Sequence, residues 1–333
     1  MPDIYIIAEA AQGYLPLEGE VGSSDTALLL VKAASAAGAD AVKFQIVYAE
    51  ELAQSGNVHY DIFRRLEMER DDWARVRRYA RDLGIAFVAD VFGNRSLDVA
   101  RTVEVDGVKL HSTTFFEHDL VDQALALGCP AFLSAGGIEL DELRDFIVRH
   151  EVKDRGEVTL LYGFQAEPTV TEQNNLSRIP ALRELTGLSV GFMDHADGAG
   201  PDWVNLSVLA YGLGVRVFEK HLTLDRELEL EDFVSAVAPG RFHEYVSTLR
   251  RLGAALGRPD LELTEPERDY RQKALKRVTA SRDLEAGHLV SSDDILLIRP
   301  AAPRGAFDPT SVVGRTLRRA IAIGDPINVD DIG

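Results

Sequence analysis

Eight short apolar runs alternate with amphipathic stretches of helical period along residues 5–255, and this alternation constrains the fold more than any other feature of the chain. The runs are Tyr5-Ile6-Ile7-Ala8, Ala41-Val42-Lys43-Phe44-Gln45, Ile85 to Ala89, Gly107 to Leu110, Pro130 to Leu133, Val158 to Tyr162, Leu188 to Phe192 and Val215 to Glu219. Between them lie helical patterns such as Asp25–Ala37, ended by Gly38, and Asp71–Leu83, ended by Gly84. Strands that alternate with helices belong to α/β architectures with a parallel sheet. Eight such units are what a closed (β/α)8 TIM barrel requires. A doubly wound open sheet alternates too, but no Gly-rich dinucleotide fingerprint follows the first strand.

The period changes after Leu256-Gly257-Arg258-Pro259. A polar connector leads into short β-like segments at Lys276–Ala280, Leu289-Val290, Ile295–Pro300 and Arg315-Thr316-Leu317. Two phrases repeat, Asp283–Val290 and Ala320–Ile327, each with a Gly turn, an apolar pair and then an acidic pair, Asp293-Asp294 or Asp330-Asp331. The expected organisation is a barrel over 1–258, a linker over 259–272 and a small, mostly β domain over 273–333.

The formal net charge of −18 argues against nucleic acid or an anionic membrane as the main partner. The excess is uneven: residues 273–333 hold nine Lys/Arg against eight Asp/Glu, so the barrel carries the negative charge. An anionic substrate must therefore be held by a few placed cations. The lone cysteine, Cys129, excludes an internal disulfide framework. No run approaches the roughly 18 apolar residues of a membrane span, and Met1-Pro2-Asp3 lacks a signal peptide's basic region, so the cytoplasm is the expected compartment.

Barrel enzymes work at the C-terminal ends of their strands. The polar residues there are Glu9, Lys43 with Gln45, Asp90, Lys109 with His111 and Ser112, Ser134, Gln165 with Glu167, Asp194 with His195, and Glu219 with His221. Two histidines on adjacent strands, each beside a carboxylate, fit either hydrogen-bonded structural residues or a metal site whose ligands need acceptors to fix their tautomers. Lys43 and Lys109 are either lysines that snorkel at strand ends or the cations of a carboxylate or phosphate site. Ser112, Ser134 and the Gly136-Gly137 turn would add hydroxyl and N–H donors to the latter.

Taken in order, Ile6-Ile7-Ala8-Glu9-Ala10, Gly38 to Gln45, Leu133-Ser134-Ala135-Gly136-Gly137, Gly191-Phe192-Met193-Asp194-His195 and Phe218 to Asp225 resemble the sialic acid (nonulosonate) synthases. The tail, with Asp283–Gly287 and Leu297-Ile298-Arg299-Pro300, resembles their C-terminal antifreeze-protein-like (SAF) domain. The resemblance implies a transferase that condenses phosphoenolpyruvate with the open-chain aldehyde of an N-acylated amino sugar such as N-acetylmannosamine, releasing phosphate. It implies a divalent metal, Mn2+ with Mg2+ or Co2+ as alternatives, on His195 and His221, and a domain-swapped homodimer. It makes Lys43, Lys109, Ser112 and Ser134 phosphoenolpyruvate-binding positions, and Glu9, Asn57, Glu219 and Asp232 polar positions around the sugar and a metal-bound water. Glu9 and Asp232 become candidate proton carriers, with Glu219 a third catalytic carboxylate, and Gln165 stands at a substrate-facing asparagine position. Arg299 matches an arginine delivered by the partner subunit over the N-acyl group.

The chain departs from that pattern in places. A longer loop, Gln12 to Gly22, follows Glu9; Thr114 stands at a glutamate position, Met193 at a serine and Glu167 at a tyrosine. Two other readings therefore stand beside a nonulosonic acid synthase: a diverged member that binds a sugar or sugar phosphate without condensation, and a synthase of another 3-deoxy-ulosonic acid.

Overall fold

Parallel strands covered by helices on one side and a packed lumen on the other must be apolar on both faces, and the eight runs pair accordingly. The computed structural model describes residues 4–15, 21–166, 168–257, 259–301 and 303–333. Met1-Pro2-Asp3, part of the Gln12–Gly22 loop, Glu167 and the boundary residue Arg258 lie outside the described residues. Strands β1 (Tyr5–Ala11), β2 (Ala41–Ile46), β3 (Ala86–Val91), β4 (Gly107–Leu110), β5 (Ala131–Ser134), β6 (Val158–Tyr162), β7 (Ser189–Asp194) and β8 (Val217–His221) form a closed barrel in sequence order. Parallel pairing of β1 with β8 completes the ring.

The period-2 alternation of strands sorts their side chains. Outward residues such as Phe44 and Phe87 meet Trp73, on the helix Arg70–Asp82, with ring centroids 5.9 and 6.3 Å away. Inward residues stack in layers. Ile7, Val88, Phe132, Leu161, Met193 and Val217 fill the middle of the lumen, so the barrel is plugged below the mouth. One step further along each strand the layer turns polar.

The chain divides into two compact units, Met1–Gly257 and Arg258–Gly333. The stretch expected as a linker contains a helix, Glu265–Ala274, started by a capping box between Thr264 and Glu267. In the second unit β9 (Arg277–Ala280) pairs antiparallel with β10 (Ile295–Ile298). The repeated phrases pair with each other: Leu284 and Ile321 exchange N–H···O bonds of 2.8 Å. Both repeats use the same lock, Arg282 on Asp294 and Arg319 on Asp331, and in each the carboxylate also caps its own turn. A small apolar cluster including Val278, Leu284, Val312, Ile321 and Ile327 sits inside.

Among the described residues no helix is long and apolar enough to cross a membrane.

Candidate active site

The polar layer closes over the lumen as a cavity of about 280 Å³ at the C-terminal ends of the strands. Of the residues singled out from the sequence, Glu9, Lys43, Lys109, Ser112, Ser134, Gln165, His195, Glu219 and His221 line it, together with Gln45, His111 and Met193.

Glu9 is aimed by a bulge. Pairing of β1 with β2 slips between Glu9 and Ala11, and Ala11 takes a left-handed φ of 44°. The Glu9 carboxylate accepts the Ala11 N–H at 2.7 Å, satisfying the amide that the bulge frees. Its other oxygen meets Lys43 Nζ. Lys43 is fully buried and also faces Asp90 at 3.3 Å and Glu219 at 3.4 Å. Glu219 reaches across the mouth to Lys109, whose Nζ donates to Oε1 at 2.7 Å and to Met193 Sδ at 3.2 Å. Ser134 Oγ points at the same sulfur, 3.8 Å away.

Three carboxylates thus share two ammonium groups in a dry layer. Burial raises the Glu219 carboxyl, but Lys109 and Lys43 outweigh it and hold the group well below the usual carboxylate range. For Glu9 burial wins: with Glu219 nearby it pushes the carboxyl up to about 8 against the opposing pull of Lys43 and Lys109. Lys43 stays charged, because Glu219, Glu9 and Asp90 together outweigh the cost of its burial. Glu9 is thereby brought into the range where its carboxyl can exchange a proton near neutral pH.

His195 and His221 stand on neighbouring strand ends with ring centroids 5.2 Å apart. Burial lowers both imidazoles, for His221 against the opposing pull of Asp232 and Glu219, so both are neutral near pH 7. His195 Nδ1 is buried without a hydrogen-bond partner. Two neutral imidazoles with an open lone pair are the donor set a borderline divalent cation takes. Among the described residues no group of three His, Cys, Asp or Glu is arranged around such an ion. Within the cavity, His195 and His221 are the side chains that would hold such a cation.

The expectation that Asp194 and Glu219 each accept from the histidine beside them needs correction. Neighbours on a strand face opposite sides, so Asp194 points away from His195 into the helical layer. There it pairs with the fully buried Lys220 at 3.2 Å and accepts from Ser207 Oγ at 3.0 Å. Glu219 does face the cavity, but its partners are the two lysines. The carboxylate nearest His221 is Asp232, 3.9 Å from Nδ1. Asp232 lines an adjoining recess of about 190 Å³ with Glu229 and Glu231, takes a left-handed φ of 63°, and accepts the Gln165 side-chain amide at 2.5 Å.

Asn57 lies outside the cavity. It is exposed, and its side chain accepts the His59 N–H, fixing the turn into the helix Tyr60–Leu66. Thr114, at the glutamate position, is buried and donates to the His111 carbonyl, so it presents nothing to the mouth. Arg299 belongs to the second unit, where its Nε donates to the Ala274 carbonyl. Glycines set the rim: a Cβ on Gly136 would lie 2.2 Å from the Gly163 carbonyl oxygen, and one on Gly163 2.3 Å from that of Met193. Phe164, which also lines the cavity, was not singled out; its place directly after the sixth run and a glycine was the available signal.

A plugged parallel barrel with lysines, carboxylates and neutral histidines at its mouth is the frame of an enzyme acting on a small polar molecule. Residues 30–260 match the NeuB family and residues 277–333 the SAF domain. The chain belongs to the NeuB family. It is 26% identical to the N,N'-diacetyllegionaminic acid synthase of Legionella pneumophila over 96% of this chain and 92% of that protein. It is 26% identical to the human N-acetylneuraminate-9-phosphate synthase over 97% of this chain and 91% of that one. Its fold is similar to the N-acetylneuraminic acid synthetase of Leptospira borgpetersenii, solved with citrate, at a TM-score of 0.73 and 24% identity over 81% and 90% of the two chains.

Proposed function

We propose that this chain is a nonulosonic acid synthase that condenses phosphoenolpyruvate with the open-chain aldehyde of an N-acylated amino sugar and releases phosphate. The observation that carries the reading is the meeting, in one cavity, of the His195–His221 pair with Lys43, Lys109, the Glu9 carboxyl and the Ser134 hydroxyl. Relatives over nearly the whole chain are synthases of legionaminic and neuraminic acid derivatives.

Lys109 and Ser134 hold the phosphate and carboxylate oxygens, fixing the enol ether against the aldehyde. His195 and His221 would hold a divalent cation, Mn2+ first among candidates, which when bound would supply Lewis-acid polarisation of the aldehyde oxygen. A carbon–carbon bond then forms between the methylene of phosphoenolpyruvate and the aldehyde carbon. Glu9, protonated at the start, can give its proton to the developing hydroxyl. Water adds to the phosphate-bearing carbon, and the resulting tetrahedral centre expels phosphate by C–O cleavage, leaving a 2-keto acid. Asp232, held by Gln165, borders the recess for the sugar and is the second proton carrier. The working assembly is a two-fold homodimer in which the partner's Arg299 closes over the N-acyl group; the planar guanidinium fork suits an acyl carbonyl better than an ammonium does.

Asp90 favours a second reading. It adds a third carboxylate beside Lys43, and its Oδ1 is buried without a partner, so that lysine is already neutralised before any dianion arrives. On that reading the chain binds an uncharged sugar without condensing it. Phosphate release from phosphoenolpyruvate, assayed against a panel of N-acylated hexosamines with and without Mn2+, separates the two: metal-dependent release with at least one sugar supports synthesis, and none with any sugar supports binding alone.

A further inference from the structure

Lys43 and Lys109 differ in what occupies their N–H groups. Lys43 is enclosed by Glu9, Asp90 and Glu219. Lys109 has one carboxylate, Glu219, and spends a second N–H on the thioether of Met193 at 3.2 Å. Ser134 directs its hydroxyl to that same sulfur, 3.8 Å away. All three side chains line the cavity and are at most 4% exposed. A thioether is a weak acceptor and a hydroxyl or amide oxygen a strong one. Two good donors thus converge on a poor acceptor, at the position where the resembled family carries a serine.

We propose that Met193 sets the affinity for the anion of the substrate: its sulfur is a weak acceptor that occupies Lys109 Nζ and Ser134 Oγ in the free protein, and an incoming oxyanion displaces it. The proposal rests on the reading that an anionic substrate enters this cavity, and it says which corner receives the anion. Lys109 turns its N–H from sulfur to the anionic oxygen without giving up Glu219, and Ser134 follows by rotation about one bond. Lys43 remains with its three carboxylates and acts as a fixed charge. The anion affinity of this corner is therefore set by how strong an acceptor the oxyanion has to displace.

The test is calorimetric titration of inorganic phosphate and of phosphoenolpyruvate into the full chain with Mn2+ present, using two variants of nearly unchanged volume. Met193→Leu removes the acceptor, frees the Ser134 hydroxyl and one N–H of Lys109 while Glu219 stays in place, and should tighten anion binding roughly three- to tenfold. Met193→Gln places an amide oxygen, drawn inward by the same two donors, and should weaken it by a similar factor. A packing role would weaken both variants alike. Affinity in the order Leu, Met, Gln supports the proposal, and any other order overturns it, as does a wild-type protein that binds neither anion. The expected order without phosphate release from any sugar would instead overturn the synthase reading and leave Met193 in this role; sugar-dependent phosphate release without the order would do the reverse.

Discussion

Glu9 combines a bulge, a buried contact with Lys43 and a carboxyl raised toward neutral pH, and the pH dependence follows from the direction of its shift. Its carboxyl is pushed up to about 8, so the acid form is present below that value and lost above it. If Glu9 delivers the proton, kcat should fall as pH rises through about 8, and Glu9→Gln should lose about 10²–10⁴ in kcat together with that limb. A pH–rate profile flat to pH 9 in the wild type would remove Glu9 from the role. Lys109 gives a binding prediction at the same scale. Deleting one cation from a charge-assisted site costs about 1.5–3 kcal/mol, so Lys109→Ala should weaken phosphoenolpyruvate binding by that amount in calorimetry, and unchanged affinity would move the anion elsewhere.

At the scale of elements, β7 and β8 carry chemistry on one face and stability on the other. His195 and His221 face the cavity, whereas Asp194 and Lys220 form a buried pair under the helices, tied through Ser207 to Tyr245 on the helix Pro239–Gly253. Removing one partner of such a pair costs about 3–5 kcal/mol. Asp194→Ala should therefore lower the denaturation midpoint sharply, while His195→Ala should abolish Mn2+-dependent turnover with little change in stability. A stable Asp194→Ala protein deficient only in metal binding would contradict this division.

The same strands show what a sequence reveals. The eight strands were legible because parallel strands covered on both faces read as unbroken apolar runs, and the polar residues at their ends marked the mouth. The strand ends were read short at Glu9, Asp194 and His221, because polar residues there resemble loop while still bonding to neighbouring strands. Asp194 was misassigned because adjacency in sequence suggested contact with His195, whereas the pleat sends the two side chains to opposite faces. The capture of Lys43 by three carboxylates was not legible, since Glu9, Asp90 and Glu219 come from three strands and meet only when the barrel closes. Asn57 matches a family position in sequence, but here its side chain is spent on a turn, accepting the His59 N–H.

For the whole molecule, the second unit bears on the assembly. Its strand β10 exposes Leu296, Leu297 and Ile298 at 50, 42 and 42%. In a two-fold homodimer with exchanged second units, Arg299→Ala and His221→Ala chains should each be inactive alone. Mixed under subunit exchange they should recover part of the activity, because one of the two composite sites in a heterodimer is intact. A monomer in solution, or no recovery despite proven exchange, would place Arg299 outside the partner's site.

The central claim is the condensation itself, and the fate of one oxygen tests it most directly. Phosphoenolpyruvate labelled with 18O in the oxygen that bridges carbon and phosphorus is incubated with the protein, Mn2+ and the sugar that supports turnover. The mechanism requires one phosphate per keto acid formed, with the label entirely in the phosphate and the product heavier than the sugar by the three-carbon unit. Label retained in the keto acid, or no three-carbon addition to any N-acylated hexosamine, would contradict it.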